Sequence, residues 1–192
     1  MKASLKRLAI KNRPGLITDP SFSSPIQMFR NLASLSVDID CIGQGGGGQC
    51  TFKLNNDDVA ELAMALPQLE SLLLGNPCCN NTCATTIACL LPISVHCIKL
   101  QSLKIHFNTT NIVDDFKNTS GDHRFQELRS LQRCTLPSLG VMRIPLNLDG
   151  PGLEIVASGM YDIFPSVGAF VACGGVQSWD ELDWRIYKLR RT

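Results

Sequence analysis

The sequence predicts an α/β fold: a right-handed solenoid, or horseshoe, with a curved parallel sheet inside and helices outside. Three observations predict it. A six-residue template (apolar, two free positions, apolar, one free position, apolar) recurs at Leu5/Leu8/Ile10, Leu32/Leu35/Val37, Leu69/Leu72/Leu74, Leu100/Leu103/Ile105 and Leu136/Leu139/Val141, with a degenerate sixth copy at Val167/Phe170/Ala172. Stretches with apolar residues at helical spacing end in a proline just ahead of the template, at Pro67 and Pro165. The third template position is serine in four successive copies, Ser34, Ser71, Ser102 and Ser138. A unit of this length cannot bury its apolar side alone, so stacked neighbours must do it, and strand–helix–strand crossovers make the shared sheet parallel.

Composition supports one folded domain over residues 1–192. Hydrophobic residues at 44% suffice for a continuous core, and charged residues at 18% are too few for a disordered chain. The net charge of +1 provides no field to attract nucleic acid or an anionic membrane, and 6% aromatic residues leave little for base stacking. Residues 71–98 carry no charge, but Asn76, Pro77, Asn80, Pro92 and His96 interrupt them; the segment reads as core, not as a membrane span. The basic start (Lys2, Lys6, Arg7, Lys11, Arg13) lacks the apolar run of a secretion signal and reads as a strand rather than a presequence. An intracellular place, cytoplasmic or nuclear, follows, with the nine cysteines reduced and the sequons at Asn80, Asn108 and Asn118 unused.

The elements follow in order. Strands are expected at each template copy. Between the second and third, Asn55-Asn56-Asp57-Asp58 starts a capped helix in which Val59, Leu62, Ala63 and Leu66 share a face before Pro67. Thr82 is expected to cap a second helix, with Cys83, Ile87 and Leu90 on one face, stopped by Pro92. The polar stretch Asn118–Arg124, with His123, reads as a solvated loop. Residues 152–164 place Leu153, Val156, Met160 and Phe164 at helical spacing. The final helix, residues 178–191, turns Trp179, Leu182, Ile186 and Leu189 inward as a cap and leaves Arg185, Lys188, Arg190 and Arg191 in water.

Together these features are the leucine-rich-repeat pattern. Asn108 and Asp40 hold its ninth position, where a side chain bonds backbone inside the bend. The stretches FRNLASLSVDIDCIGQ, DDVAELAMALPQLESLLLGNPC and CIKLQSLKIHFN resemble the leucine-rich-repeat regions of F-box proteins expanded in mushroom-forming fungi, over roughly residues 25–185. The resemblance implies that the repeats select a target for a ubiquitin ligase, while an N-terminal F-box would bind a Skp-type linker. No F-box precedes the strand at residue 5, so the chain reads as N-terminally truncated, and the linker is expected only for a longer product carrying an F-box. An uncapped first strand also predicts self-association.

Motifs with chemistry are weak. Gly43–Gly48 matches the dinucleotide pattern G-x-G-x-x-G, but Gln49–Leu54 reads as extended where a phosphate-binding helix should start, so the segment is read as a linker. Cys78, Cys79, Cys83, Cys89, His96 and Cys97 lack the paired spacing of a zinc site and fall partly on a core face. No elbow or triad motif surrounds any Ser or Cys. The expectation is a non-enzymatic protein without cofactor, metal or catalytic residues, binding a protein target on the inner sheet face through Asp38, Leu73, Lys104, His106 and Met142. A scaffold unrelated to ubiquitin and a nucleotide-binding enzyme using the glycine loop are the alternatives.

Overall fold

Each template copy forms a strand in the computed structural model, which describes residues 5–12, 28–39, 54–75, 84–121, 134–142, 148–167, 169–173 and 177–191. The strands are β1 (Arg7–Asn12), β2 (Ser34–Ile39), β3 (Ser71–Leu74), β4 (Ser102–Ile105), β5 (Ser138–Met142) and β6 (Ala169–Cys173). They build one six-stranded sheet in sequential order β1-β2-β3-β4-β5-β6, every pair parallel. The register matches the template residue for residue. Leu8, Leu35, Leu72, Leu103, Leu139 and Phe170 pair across the whole sheet, as do Ile10, Val37, Leu74, Ile105, Val141 and Ala172. Leu35, Leu72, Leu103 and Leu139 are at most 2% exposed, so the second template position points into the core.

The entry to the strands recurs as well. The N–H of Leu32, Leu69, Leu100 and Val167, all first template positions, donates to the carbonyl three residues before it, at 2.8–3.1 Å. At the first three strand pairs one carbonyl of the strand entry accepts two N–H groups from the next: Lys6 from Ala33 and Ser34, Ala33 from Glu70 and Ser71, Glu70 from Gln101 and Ser102. Both bonds lock neighbours into one register, because a slip of one residue would turn every leucine outward.

Helices fill the connections from β2 onward. α1 (Asn56–Ala65) begins in a capping box: Asn55 Oδ1 accepts the Asp58 N–H, and Asp58 Oδ2 accepts the Asn55 N–H, both at 2.9 Å. A 3₁₀ turn (Ile87–Cys89) capped by Thr86 leads into α2 (Leu90–His96). The expected stop at Pro92 is therefore corrected: Pro92 lies inside the first turn of α2, where a missing N–H costs no intrahelical bond. The expected cap Thr82 and its neighbour Cys83 lie outside the described residues. α3 (Ile112–Gly121) replaces the expected loop at its start: Ile112 and Phe116, one turn apart, are buried, and this apolar pair outweighs the polar residues that follow. α4 (Gly150–Ile163) starts on Asp149, whose Oδ1 accepts the Gly152 N–H at 2.8 Å. α5 (Gln177–Leu189) packs on β6 and α4 with Trp179, Leu182 and Ile186 at most 2% exposed. Arg185 does not stand in water as expected; its guanidinium bridges Glu154 of α4 and Glu181. The helices and the template residues share one apolar core.

Two details of that core generate predictions. Gly159 of α4 touches the Phe116 ring of α3 so closely that a Cβ there would overlap the ring. In an open helix Gly→Ala stabilises; here Gly159→Ala is expected to destabilise by roughly 1–3 kcal/mol, read from the urea midpoint. The second detail is a pair of buried thiols. Cys97 Sγ lies 3.8 Å and 3.9 Å from the Ala63 and Leu66 carbonyls at the end of α1. Burial pushes the Cys97 thiol from 9.0 up to about 12, helped by the nearby Cys134, and burial also lifts Cys134 to about 12. Below pH 9.0 these thiols keep their protons folded or unfolded; between there and about 12 only the unfolded chain releases them, so stability falls as pH rises through that window. Urea titrations at rising alkaline pH are expected to show this slope flattened in Cys97→Ala/Cys134→Ala.

Candidate functional site

Strand residues that alternate with the template face away from the helices, and the register sets them in rows. One row runs Arg7, Ser34, Ser71, Ser102, Ser138; the next runs Ala9, Ser36, Leu73, Lys104, Gly140. The serines are half-buried and line up as a ladder of hydroxyls, each able to donate and accept. In the second row Leu73 is half-buried and Lys104 exposed on the adjacent strand. Gly140 makes room for Lys104: a Cβ at Gly140 would stand 2.8 Å from Lys104 Cγ, so the lysine stem rests on the glycine of β5. Asp38 lies one pleat beyond Ser36, directly paired in register with Lys11 of β1, and opposite charges there support each other.

The structure thus brings Asp38, Leu73 and Lys104 onto one face, on three consecutive strands spaced by about 4.8 Å. It does not leave His106 on that face as an open anchor. His106 is 4% exposed, which corrects the expectation of a surface histidine. The reason is the bend just past β3. Gly75 adopts φ +99°, its N–H donates to the Val37 carbonyl, and the His106 N–H donates to the Leu74 carbonyl, each at 3.1 Å. A Cβ on Gly75 would come within 2.9 Å of His106 Cβ, so the glycine leaves the hollow into which the histidine backs. Met142 ends β5, paired with Cys173, and its side chain lies outside the described residues, as do Asp40, Gly43–Gly48, Cys78, Cys79 and His123. Asn108 performs a local version of the expected bond, its Oδ1 accepting the Thr110 N–H at 2.9 Å.

Alternation along the strands places Gly75 and Gly140 on this face, but sequence reasoning missed that they shape it, because their role depends on a neighbouring strand rather than on their own segment. An open groove of about 370 Å³ also lies where Arg30, Glu61, Met64, Ala65 and Pro67 meet, beside α1. Among the described residues no group of three His, Cys, Asp or Glu side chains could hold a metal ion, and no helix is long and apolar enough to cross a membrane. The arrangement on the strand face offers hydroxyls, the Asp38 carboxylate, the Lys11 and Lys104 ammoniums, the Arg7 guanidinium and the apolar Leu73 on a fixed grid. That suits recognition of a complementary surface.

The bend behind that face is testable. Gly75→Ala, which forces a side chain into φ +99° and against His106, is expected to cost roughly 1–3 kcal/mol of stability by urea unfolding. Gly150→Ala, where an added Cβ meets no atom within 4 Å beyond the two chain neighbours but Pro151 follows and disfavours helical backbone for a residue with a Cβ, is expected to change stability by less than about 1 kcal/mol. No protein-family model matches the chain, and no curated protein is significantly similar to it.

Proposed function

We propose that the chain is a leucine-rich-repeat solenoid, with its sheet on the inner side, that binds a protein target without catalysing a reaction. The single observation that supports this most is the match between template and register: six template copies become six consecutive parallel strands whose equivalent residues pair. Parallel stacking of equivalent units produces an extended face in which each strand contributes side chains at fixed spacing, and such faces suit protein recognition. Leu73 is the apolar anchor, Lys104 and Asp38 set the charge pattern, and the serine ladder hydrogen-bonds a polar partner surface. The resemblance to fungal F-box proteins extends the proposal: the target is a substrate for ubiquitination, selected by this face and delivered through an F-box carried by a longer product.

The test uses two substitutions on the face and one outside it. Leu73→Asp/Lys104→Glu is expected to reduce capture of a bound target by more than about ten-fold, as loss of a central anchor does, while Lys99→Glu leaves it at the level of the unaltered chain. Equal capture by all three proteins removes the strand face from the binding site. The ubiquitin branch is read separately. A longer product with an F-box ahead of Met1 is expected to retain a Skp-type linker; a product that holds its target and never the linker is a scaffold outside ubiquitination.

A further inference from the structure

α5 is amphipathic in an unusual way: its outward side is neither purely polar nor randomly charged. Inward it buries Trp179, Leu182 and Ile186. Outward it carries Asp180, Trp184 and Tyr187 at helical spacing, and Arg191, in the turn just past its end, continues this stripe with its guanidinium over the Tyr187 ring, with Lys188 on the flank. Trp184 is 49% and Tyr187 44% exposed, large aromatic areas to leave in water. Cations already lean on both rings: Lys188 Nζ stands 3.3 Å from the Trp184 ring centre, and the Arg191 guanidinium 4.6 Å from that of Tyr187. The stripe therefore has an acid at one end, two aromatic rings in the middle and a base at the other end.

That order makes the stripe complementary to itself. Asp180 and Arg191 lie equally far from the Arg185–Ile186 peptide, and so do Trp184 and Tyr187. Laid antiparallel against a second copy, the helix sets Asp180 against the other Arg191 and Trp184 against the other Tyr187. Laid parallel, it sets acid on acid and base on base. An anionic partner or membrane would meet Asp180 at one end of the stripe, and a cationic partner would meet Arg191 and Lys188 at the other. We propose that this stripe is a two-fold contact between two copies of the chain, with Trp184 of each copy packed on Tyr187 of the other and Asp180 of each paired with Arg191 of the other. The contact is isologous, so every pair occurs twice. It spans eleven residue steps, from the first turn of α5 to the turn past its end and about 16 Å at the helical rise, which places it among small, reversible interfaces rather than permanent ones. It lies on the helix layer and leaves the strand face open.

Sedimentation velocity on the full chain, over a range of concentrations and at low and high salt, tests it. The expected result is a monomer–dimer equilibrium that weakens with salt, as exposed charge pairs require. D180R alone and R191D alone are each expected to raise the dissociation constant by about ten-fold or more, because each puts like charges together twice. Mixing the two single variants restores association, since one copy then carries a base at both ends of the stripe and the other an acid at both, so both pairs of a mixed dimer join opposite charges. The D180R/R191D double variant restores it within one protein. W184A abolishes the dimer. A chain that stays monomeric throughout overturns the proposal. So does association that ignores D180R and W184A, which assigns it to another surface such as the outer edge of β1, and so does a mixture of the single variants no tighter than either alone.

Discussion

The structure depends on one constraint: equivalent apolar side chains of adjacent strands must stand directly side by side. A four-residue strand such as β3 or β4 makes too few ladder bonds to hold its place alone, and an isolated pair of short strands is marginal in water. What fixes it is the column Leu8, Leu35, Leu72, Leu103, Leu139 and the parallel column Ile10, Val37, Leu74, Ile105, each residue covering part of the next. Removing one leucine uncovers two neighbours, so burial is shared between units rather than owned by one. The doubly accepting carbonyls at strand entry add a second lock, tying the chain into register one step before the leucines arrive.

The helices answer to the same constraint from the other side. Their task is to span from the end of one strand to the start of the next and close the core, and their sequences differ because only the inward contact is prescribed. α1 has a reciprocal cap, α2 grows out of a 3₁₀ turn, and α4 starts on an aspartate with a proline in its first turn. Cys97 shows how such varied pieces are joined: its thiol stands over carbonyls at the end of α1, where helical bonding has run out, and its burial suppresses its acidity. The strand that follows is thereby coupled to the helix before it.

The strands are legible in the sequence because their signal is local and repeated. The spacing of Leu32, Leu35 and Val37 recurs along the chain, and the serine column alone predicts the register in which the strands pair. Helix boundaries are legible where a cap and a proline bracket them, as at Asn55 and Pro67. They are misread where the same residue serves two ends: Pro92 stops a helix or opens one, and only the 3₁₀ turn ahead of it decides. α3 is hidden by its polar second half because its stability comes from Phe116 fitting against Gly159, more than forty residues away. His106 is misread for a related reason. Alternation gives it a place on the strand face, but its burial is set by a bend at Gly75 on the neighbouring strand, and no single segment contains that information.

The two proposed surfaces follow from that division of labour. Core positions are prescribed by the neighbours they must match, and this leaves the alternate strand positions and the outward helix positions free to carry other information. On β2 to β5 the free positions of the strand face are mostly small and polar, and Leu73 and Lys104 stand out on adjacent strands. On α5 and the turn that follows it the free positions are two aromatic rings between opposite charges, and Asp180, Trp184 and Arg191 are exposed on the outward side. A cap needs only Trp179, Leu182 and Ile186; serine or lysine at the outward positions would leave that packing untouched and expose less apolar area. The stripe is therefore a departure from what folding requires, and its symmetric order about the Arg185–Ile186 peptide is what a second copy would read.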